Sequence, residues 1–189
     1  NVNSKSETRG LVSADHVFGG LRRSFADEDI EYYVAQSLKL PKPVDKESLK
    51  AHKVLLRLST QPNGDVRLVT TNFDLLFEEC DHKIQAITKS QFSTNTSNWG
   101  IVHLHGRVNA DYTGASTDGF VLSSAEFGEA YLASGWANEF VKNIFENYTP
   151  VFIGYSADDP PIKYLLEGLE KKGWQKRIYA FQSAGDDEA

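Results

Sequence analysis

Two short strings constrain this chain more than any other feature: Leu68-Val69-Thr70-Thr71-Asn72-Phe73-Asp74 and Ile101-Val102-His103-Leu104-His105-Gly106. Each is a β-branched or apolar run that stops abruptly in polar residues, the pattern of a strand emerging at a sheet edge with its last side chains facing a crevice. Two such ends in one parallel sheet let Asn72, Asp74 and His105 converge. The spacing around them predicts alternating helices and strands. Helical periodicity begins at Ser13 with Val17, Leu21 and Phe25, and resumes at Asp27 with Ile30, Tyr33, Val34 and Leu38, until Pro41 and Pro43 end it. A further helix over 48–59 is expected to turn Leu49, Val54, Leu55 and Leu58 inward, and Pro62-Asn63-Gly64-Asp65 makes the turn into a strand over 67–71.

Short strands are expected over 84–88, 101–105 and 120–123, followed by a long helical region to Tyr148 with Phe140, Val141, Ile144, Phe145 and Tyr148 on one stripe. The apolar run 151–155 reads as a strand buried on both faces. Asp158 or Asp159 caps a helix whose inward face carries Ile162, Leu165, Leu166 and Leu169, and 177–181 is the last strand. Alternation of this kind implies an α/β fold, a Rossmann-like open parallel sheet with helices on both faces. The polar segment 1–12 reads as poorly held, and 13–189 as one domain.

The totals exclude several function classes. The 189 residues are enough for one domain with a real core, and 40% apolar with 24% charged is the composition of a globular protein. A net charge of −6 with scattered Lys and Arg argues against a broad surface for nucleic acid or anionic membrane. No apolar run approaches the roughly 18 residues of a spanning helix, and no basic-then-apolar leader opens the chain, so it reads as cytoplasmic. The lone Cys80 excludes an internal disulfide and a multi-cysteine zinc site within this sequence.

The residue types also carry chemistry. The Asn72 amide can accept from one group while donating to another, and an imidazole at His105 can exchange a proton near neutrality. Gly106 lets the chain turn sharply behind it. His103 lies two residues earlier and should share a face with His105, a His-x-His pair, but no further cluster of carboxylates or histidines accompanies it, so no metal is expected. Trp99, Trp136 and Trp174 read as packing residues.

Taken in order, Thr70-Thr71-Asn72-Phe73-Asp74, His103-Leu104-His105-Gly106 and Gly154-Tyr155-Ser156-Ala157-Asp158-Asp159-Pro160 resemble the sirtuin (SIR2) family, and more closely the SIR2-like domains of bacterial antiphage defence proteins. The resemblance implies a sirtuin or DHS-like variant of the Rossmann-like sheet. It makes Asn72 and His105 the catalytic pair, and places Thr70, Thr71, Asp74, Gly106, Gly154 and Ser156 against NAD as substrate, with Asp74 on the nicotinamide carboxamide. Thr71 stands where sirtuins carry glutamine, and Tyr155 where they carry threonine. The four-cysteine zinc module of protein-deacylating sirtuins is missing. So is the Gly-Ala-Gly-x-Ser phosphate loop, and both ends of the sequence read as cut.

The activity implied is NAD hydrolysis with release of nicotinamide, depleting NAD in an infected bacterium. Two alternatives stay open: protein deacylation or ADP-ribosyl transfer, and a catalytically silent nucleotide-binding module that regulates a partner protein. Further domains, and a homo-oligomer or a defence-system partner, are implied by the same resemblance; direct binding of nucleic acid or membrane is not.

Overall fold

Strand β3, Gly100–His103, is buried at every position, and the sheet is built outward from it. In the computed structural model, which describes residues 14–91, 99–154 and 177–181, β3 lies between β1 (Arg67–Thr70) and β2 (Ala86–Ile87) and runs parallel to both. The β1 register pairs Leu68 with Ile101, Val69 with Val102 and Thr70 with His103. One further bond, from Leu104 N–H to the Thr70 carbonyl at 2.9 Å, carries the ladder past the last paired residues. A strand covered on both faces needs apolar side chains at odd and even positions alike, and Ile101 and Val102 supply them.

Those two side chains point to opposite layers. Ile101 packs with Leu68, Val66, Leu56 of α3 (Lys50–Ser59) and Phe77 of α4 (Leu76–Cys80). Val102 packs with Ile87 and Trp99 against Phe140, Ile144 and Tyr148, the first two from α6 (Trp136–Asn147) and the last just after it, while Leu104 joins Ala137, Val141 and Phe145 of the same helix. The expected α6 stripe therefore divides between two neighbouring clusters. The fold is α/β and Rossmann-like, with a parallel sheet between helices. On the N-terminal side, α2 (Asp27–Ser37) contributes Ile30 and Ala35 to a cluster with Leu75, Val108, Tyr112, Phe120 and Leu122. α1 (Ala14–Leu21) is joined to that layer from outside, its following residue Arg22 ion-pairing with Asp27 and with Glu126 of α5 (Ser124–Gly128).

Several expectations are corrected. In α3 the inward stripe is Leu49, His52 and Leu56, spaced i, i+3, i+7, with the His52 ring edge-on to Phe77 at 4.9 Å. Leu55 is half-buried, while Val54 and Leu58 are 53% and 71% exposed, because they fall on the other side of that stripe. Phe25, expected in one helical repeat with Val17 and Leu21, lies instead in the turn after α1, where it is exposed. No strand forms at 120–123; that segment runs extended and contributes a bond from Val121 N–H to the His105 carbonyl. The long helical region is three pieces: α5, a π-helix at Glu129–Ala133, and α6, divided where Gly135 takes a φ of +66°.

The second parallel pair, β4 (Val151–Ile153) with β5 (Tyr179–Phe181), is a separate two-stranded sheet among the described residues. Among those residues only one face of β4 is covered, by Phe152 against Phe145. Val151 and Ile153 stay 51% and 46% exposed, so the expected burial on both sides is not met there. The helix expected after Asp158, Trp174 and the 1–12 segment lie outside the described residues.

The α3 stripe gives a direct check. Leu56→Ala should destabilise the protein by about 2–5 kcal/mol, the cost of emptying a core site, whereas Leu58→Ala should stay within about 0.5 kcal/mol. Urea unfolding of both variants measures this, and equal losses would contradict the stripe.

Candidate functional site

The last β1–β3 pair is Thr70 with His103, so Asn72 and His105 each lie two residues beyond it, in the loops that leave these adjacent strands at one edge of the sheet. Neighbouring strands run about 4.8 Å apart. The two loops are then fastened together, since Val108 N–H donates to the Phe73 carbonyl at 2.9 Å and the Phe73 ring stands edge-on to Phe120 at 5.0 Å.

Asn72 is exposed, yet its peptide groups are fixed on both sides. Its N–H donates to the Thr70 hydroxyl at 3.1 Å, and its carbonyl accepts from Nδ1 of His103 at 3.1 Å. Thr70 is buried, and its hydroxyl shapes this turn in the manner of an ST-turn. Thr71 is half-buried between them. Asp74 commits one carboxylate oxygen to the backbone N–H of Leu76 at 3.0 Å, which starts α4.

His105 takes a different direction from His103. The chain leaves the strand at Leu104, and Gly106 N–H closes a turn on the His103 carbonyl at 3.2 Å. The period-two expectation therefore fails at His105: His103 faces α4 through Glu78, and His105 faces the π-helix, where its Nε2 shares a 2.8 Å hydrogen bond with the Tyr131 hydroxyl. Phe127 stands edge-on to the His105 ring at 5.0 Å. The two histidines engage separate partners, and among the described residues no group of three or more His, Cys, Asp or Glu gathers as metal ligands.

Gly106 sits at φ +88°, and a Cβ there would collide with the Gly119 carbonyl oxygen. His105, Gly106, Gly119 and Phe120 form part of the wall of a cavity of about 210 Å³. Its charged lining is mainly acidic: Asp27, Glu31, Asp118, Glu126 and Glu129, against Arg22 and Lys89. Burial pushes the Glu31 carboxyl up, partly offset by a hydrogen bond from the Ala115 backbone and by the Arg22 charge. Burial acts the same way on Asp118, but bonds from Ser90 N–H at 2.8 Å and the Ser90 hydroxyl at 3.0 Å, together with Thr88 and the Lys89 charge, outweigh it and hold Asp118 below the usual carboxylate range. Glu126 accepts from the N–H groups of Leu122 and Ser123, both at 2.7 Å, completing a capping box that fixes the start of α5.

Asn72, Thr70, Thr71 and Asp74 do not line this cavity; they share its sheet edge. Gly154 follows β4 with φ +64° and donates its N–H to the Phe181 carbonyl at 3.3 Å. Ser156 lies outside the described residues. Trp136 is half-buried on the cavity wall with Lys89 5.9 Å from its ring centre, and Trp99 packs between Phe140 and Tyr148.

A SIR2-like domain matches residues 66–189, well over half of the sequence. The chain belongs to the SIR2-like family. The match takes in the edge formed by Asn72 and His105 and the segment after β4. This SIR2-like chain is also 35% identical over 191 residues to an uncharacterized protein, y4cA, of Sinorhizobium fredii, an alignment covering 92% of the chain and 16% of that relative. The chain thus spans about a sixth of the length of the curated relative it matches. SIR2-like domains use NAD, and no helix among the described residues is long and apolar enough to cross a membrane.

Sequence reasoning does not single out Tyr131, Glu78, Arg107 or the carboxylates around the cavity. Capping-box spacing from Ser123 to Glu126 is a signal for one of them; the others come from separate elements, with nothing local to mark them. Because Gly106 has neither the conformation nor the space for a side chain, Gly106→Ala should lower stability by about 1–3 kcal/mol. Thermal or urea unfolding measures it, and an unchanged midpoint would contradict the close Gly106–Gly119 approach.

Proposed function

We propose that this SIR2-like chain is the NAD-hydrolysing domain of a bacterial antiphage defence protein, releasing nicotinamide and so depleting NAD. The observation that supports the reading is the register, Thr70 opposite His103, from which the loops carrying Asn72 and His105 leave the same edge of the parallel sheet. In the net reaction the C–N bond between nicotinamide and ribose breaks, water supplies the new C–O bond, and nicotinamide, ADP-ribose and a proton leave. Positive charge develops on the sugar as the bond breaks, and a preorganised field opposing that charge lowers the barrier.

The acidic lining beside His105 has the right sign for this. It has the wrong sign for phosphates, so the cavity suits the nicotinamide-ribose end of the dinucleotide. Its size agrees: about 210 Å³ is below the roughly 300–1,000 Å³ of pockets that enclose a whole ligand. In this reading Asn72 orients a ribose hydroxyl or the attacking water, and His105 polarises a hydroxyl or takes a proton. Thr70 and Thr71 shape the strand end, Asp74 meets the carboxamide with the oxygen not engaged at Leu76, and Gly106 brings backbone close to the sugar. Gly154 and Ser156 are assigned to the ribose and phosphate. Hydrolysis is preferred to deacylation because one cysteine cannot build the zinc module of deacylating relatives.

Full-length protein incubated with NAD should release nicotinamide once triggered. Asn72→Ala and His105→Ala should each lower the rate by about 10²–10⁴-fold. Chromatography of nicotinamide and ADP-ribose reads the rate, with circular dichroism confirming the fold. Near-normal turnover in either folded variant would remove that residue from the site.

A further inference from the structure

His103 is completely buried, and each of its ring nitrogens has a specific polar partner. A carbonyl oxygen only accepts, so Nδ1 carries a proton and donates it to Asn72. On the other side, Nε2 lies 3.0 Å from Oε1 of Glu78, and Nη1 of Arg107 lies 3.6 Å from that same oxygen. A chain of polar contacts therefore runs from Arg107 through Glu78 and His103 to the main chain of Asn72. Packing alone does not account for it, since a buried ionic group is commonly no more stabilising than apolar side chains of the same volume. The polar groups do specify a direction: one ring orientation brings Nδ1 to the Asn72 carbonyl and Nε2 to Glu78.

We propose that His103 is a positioning residue, held by Glu78 and Arg107, that locks the Asn72 peptide so that the Asn72 side chain faces the substrate from the strand end. The inference rests on Asn72 acting on the substrate as proposed above. With its carbonyl bound to His103 and its N–H bound to Thr70, Asn72 has both adjoining peptide planes fixed, which leaves chiefly its side-chain torsions free. Misplacement of a reacting group by about 1 Å can cost roughly 10²-fold in rate.

The test compares three variants of the full-length protein. The amide of His103→Asn can replace Nδ1 as donor to the Asn72 carbonyl; that of His103→Gln extends toward the Nε2 position and Glu78; His103→Ala replaces neither. The expected result is nicotinamide release within about tenfold of the parent for His103→Asn and about 10²-fold lower for His103→Gln and His103→Ala, although all three lower the melting temperature. Crystal structures provide a readout that does not depend on turnover: Asn72 should keep its place in His103→Asn and shift or lose order in His103→Gln. If activity falls in proportion to melting temperature across the set, or Asn72 stays in place in His103→Gln, the positioning role is overturned. Parent protein that cleaves no NAD would instead overturn the proposed function, and the crystallographic comparison would still decide what His103 holds.

Discussion

The parallel pairing of β1 with β3 is the interaction on which the rest depends. β3 tolerates no exposed face, so its register against β1 is fixed by apolar side chains on both sides, Ile101 toward α3 and α4 and Val102 toward α6. A slip of one residue would exchange those faces and drive His103 into the α6 cluster, away from Glu78. The same register sets where each strand ends. From there the loops are determined by close contacts: Gly106 against Gly119, Val108 on Phe73, and Val121 on His105. The proposed site is thus a consequence of where two strands stop.

Electrostatics then divide the edge into two environments. On the α4 side, the half-buried Arg107 and Glu78 form an ion pair whose carboxylate also meets the buried His103 imidazole. On the other side, the cavity gathers carboxylates from α2, α5, the π-helix and the loop before α5. The π-helix is the element that presents Tyr131 to His105. Such wide turns are rare and concentrate at functional sites, because they re-aim side chains that a regular helix would place elsewhere. Gly135 ends this stretch in a left-handed conformation and allows α6 to set off along its own axis toward Val102.

Much of this is legible in the sequence, for identifiable reasons. Strands β1 and β3 announce themselves because an apolar run that halts at Asn72 or His105 has the shape of a buried strand opening onto a crevice, and the α6 stripe follows from Phe140, Val141, Ile144 and Phe145. The α3 face is a different case, because apolar content is a weaker guide than helical geometry: His52 packs on Phe77 while Leu58 is exposed. Leu104 turning out of the strand, which separates His103 from His105, depends on a tertiary contact between Gly106 and Gly119 that no local pattern encodes. The unbroken apolar run of β4 suggests burial on both faces, but its described neighbours cover it on one side only. Glu78, Arg107 and Tyr131 reach the site from helices and a loop whose own sequences give no sign of it.

The central claim is that Asn72 and His105 share one substrate at the β1–β3 edge. A crystal structure of full-length protein with NAD, or with a non-hydrolysable analogue, tests it most directly. The account predicts the nicotinamide ribose between the two residues, with its hydroxyls within hydrogen-bonding distance of the Asn72 amide and the His105 ring, and the phosphates outside the acidic cavity. NAD bound elsewhere, or a ribose reached by only one of the two side chains, would contradict it.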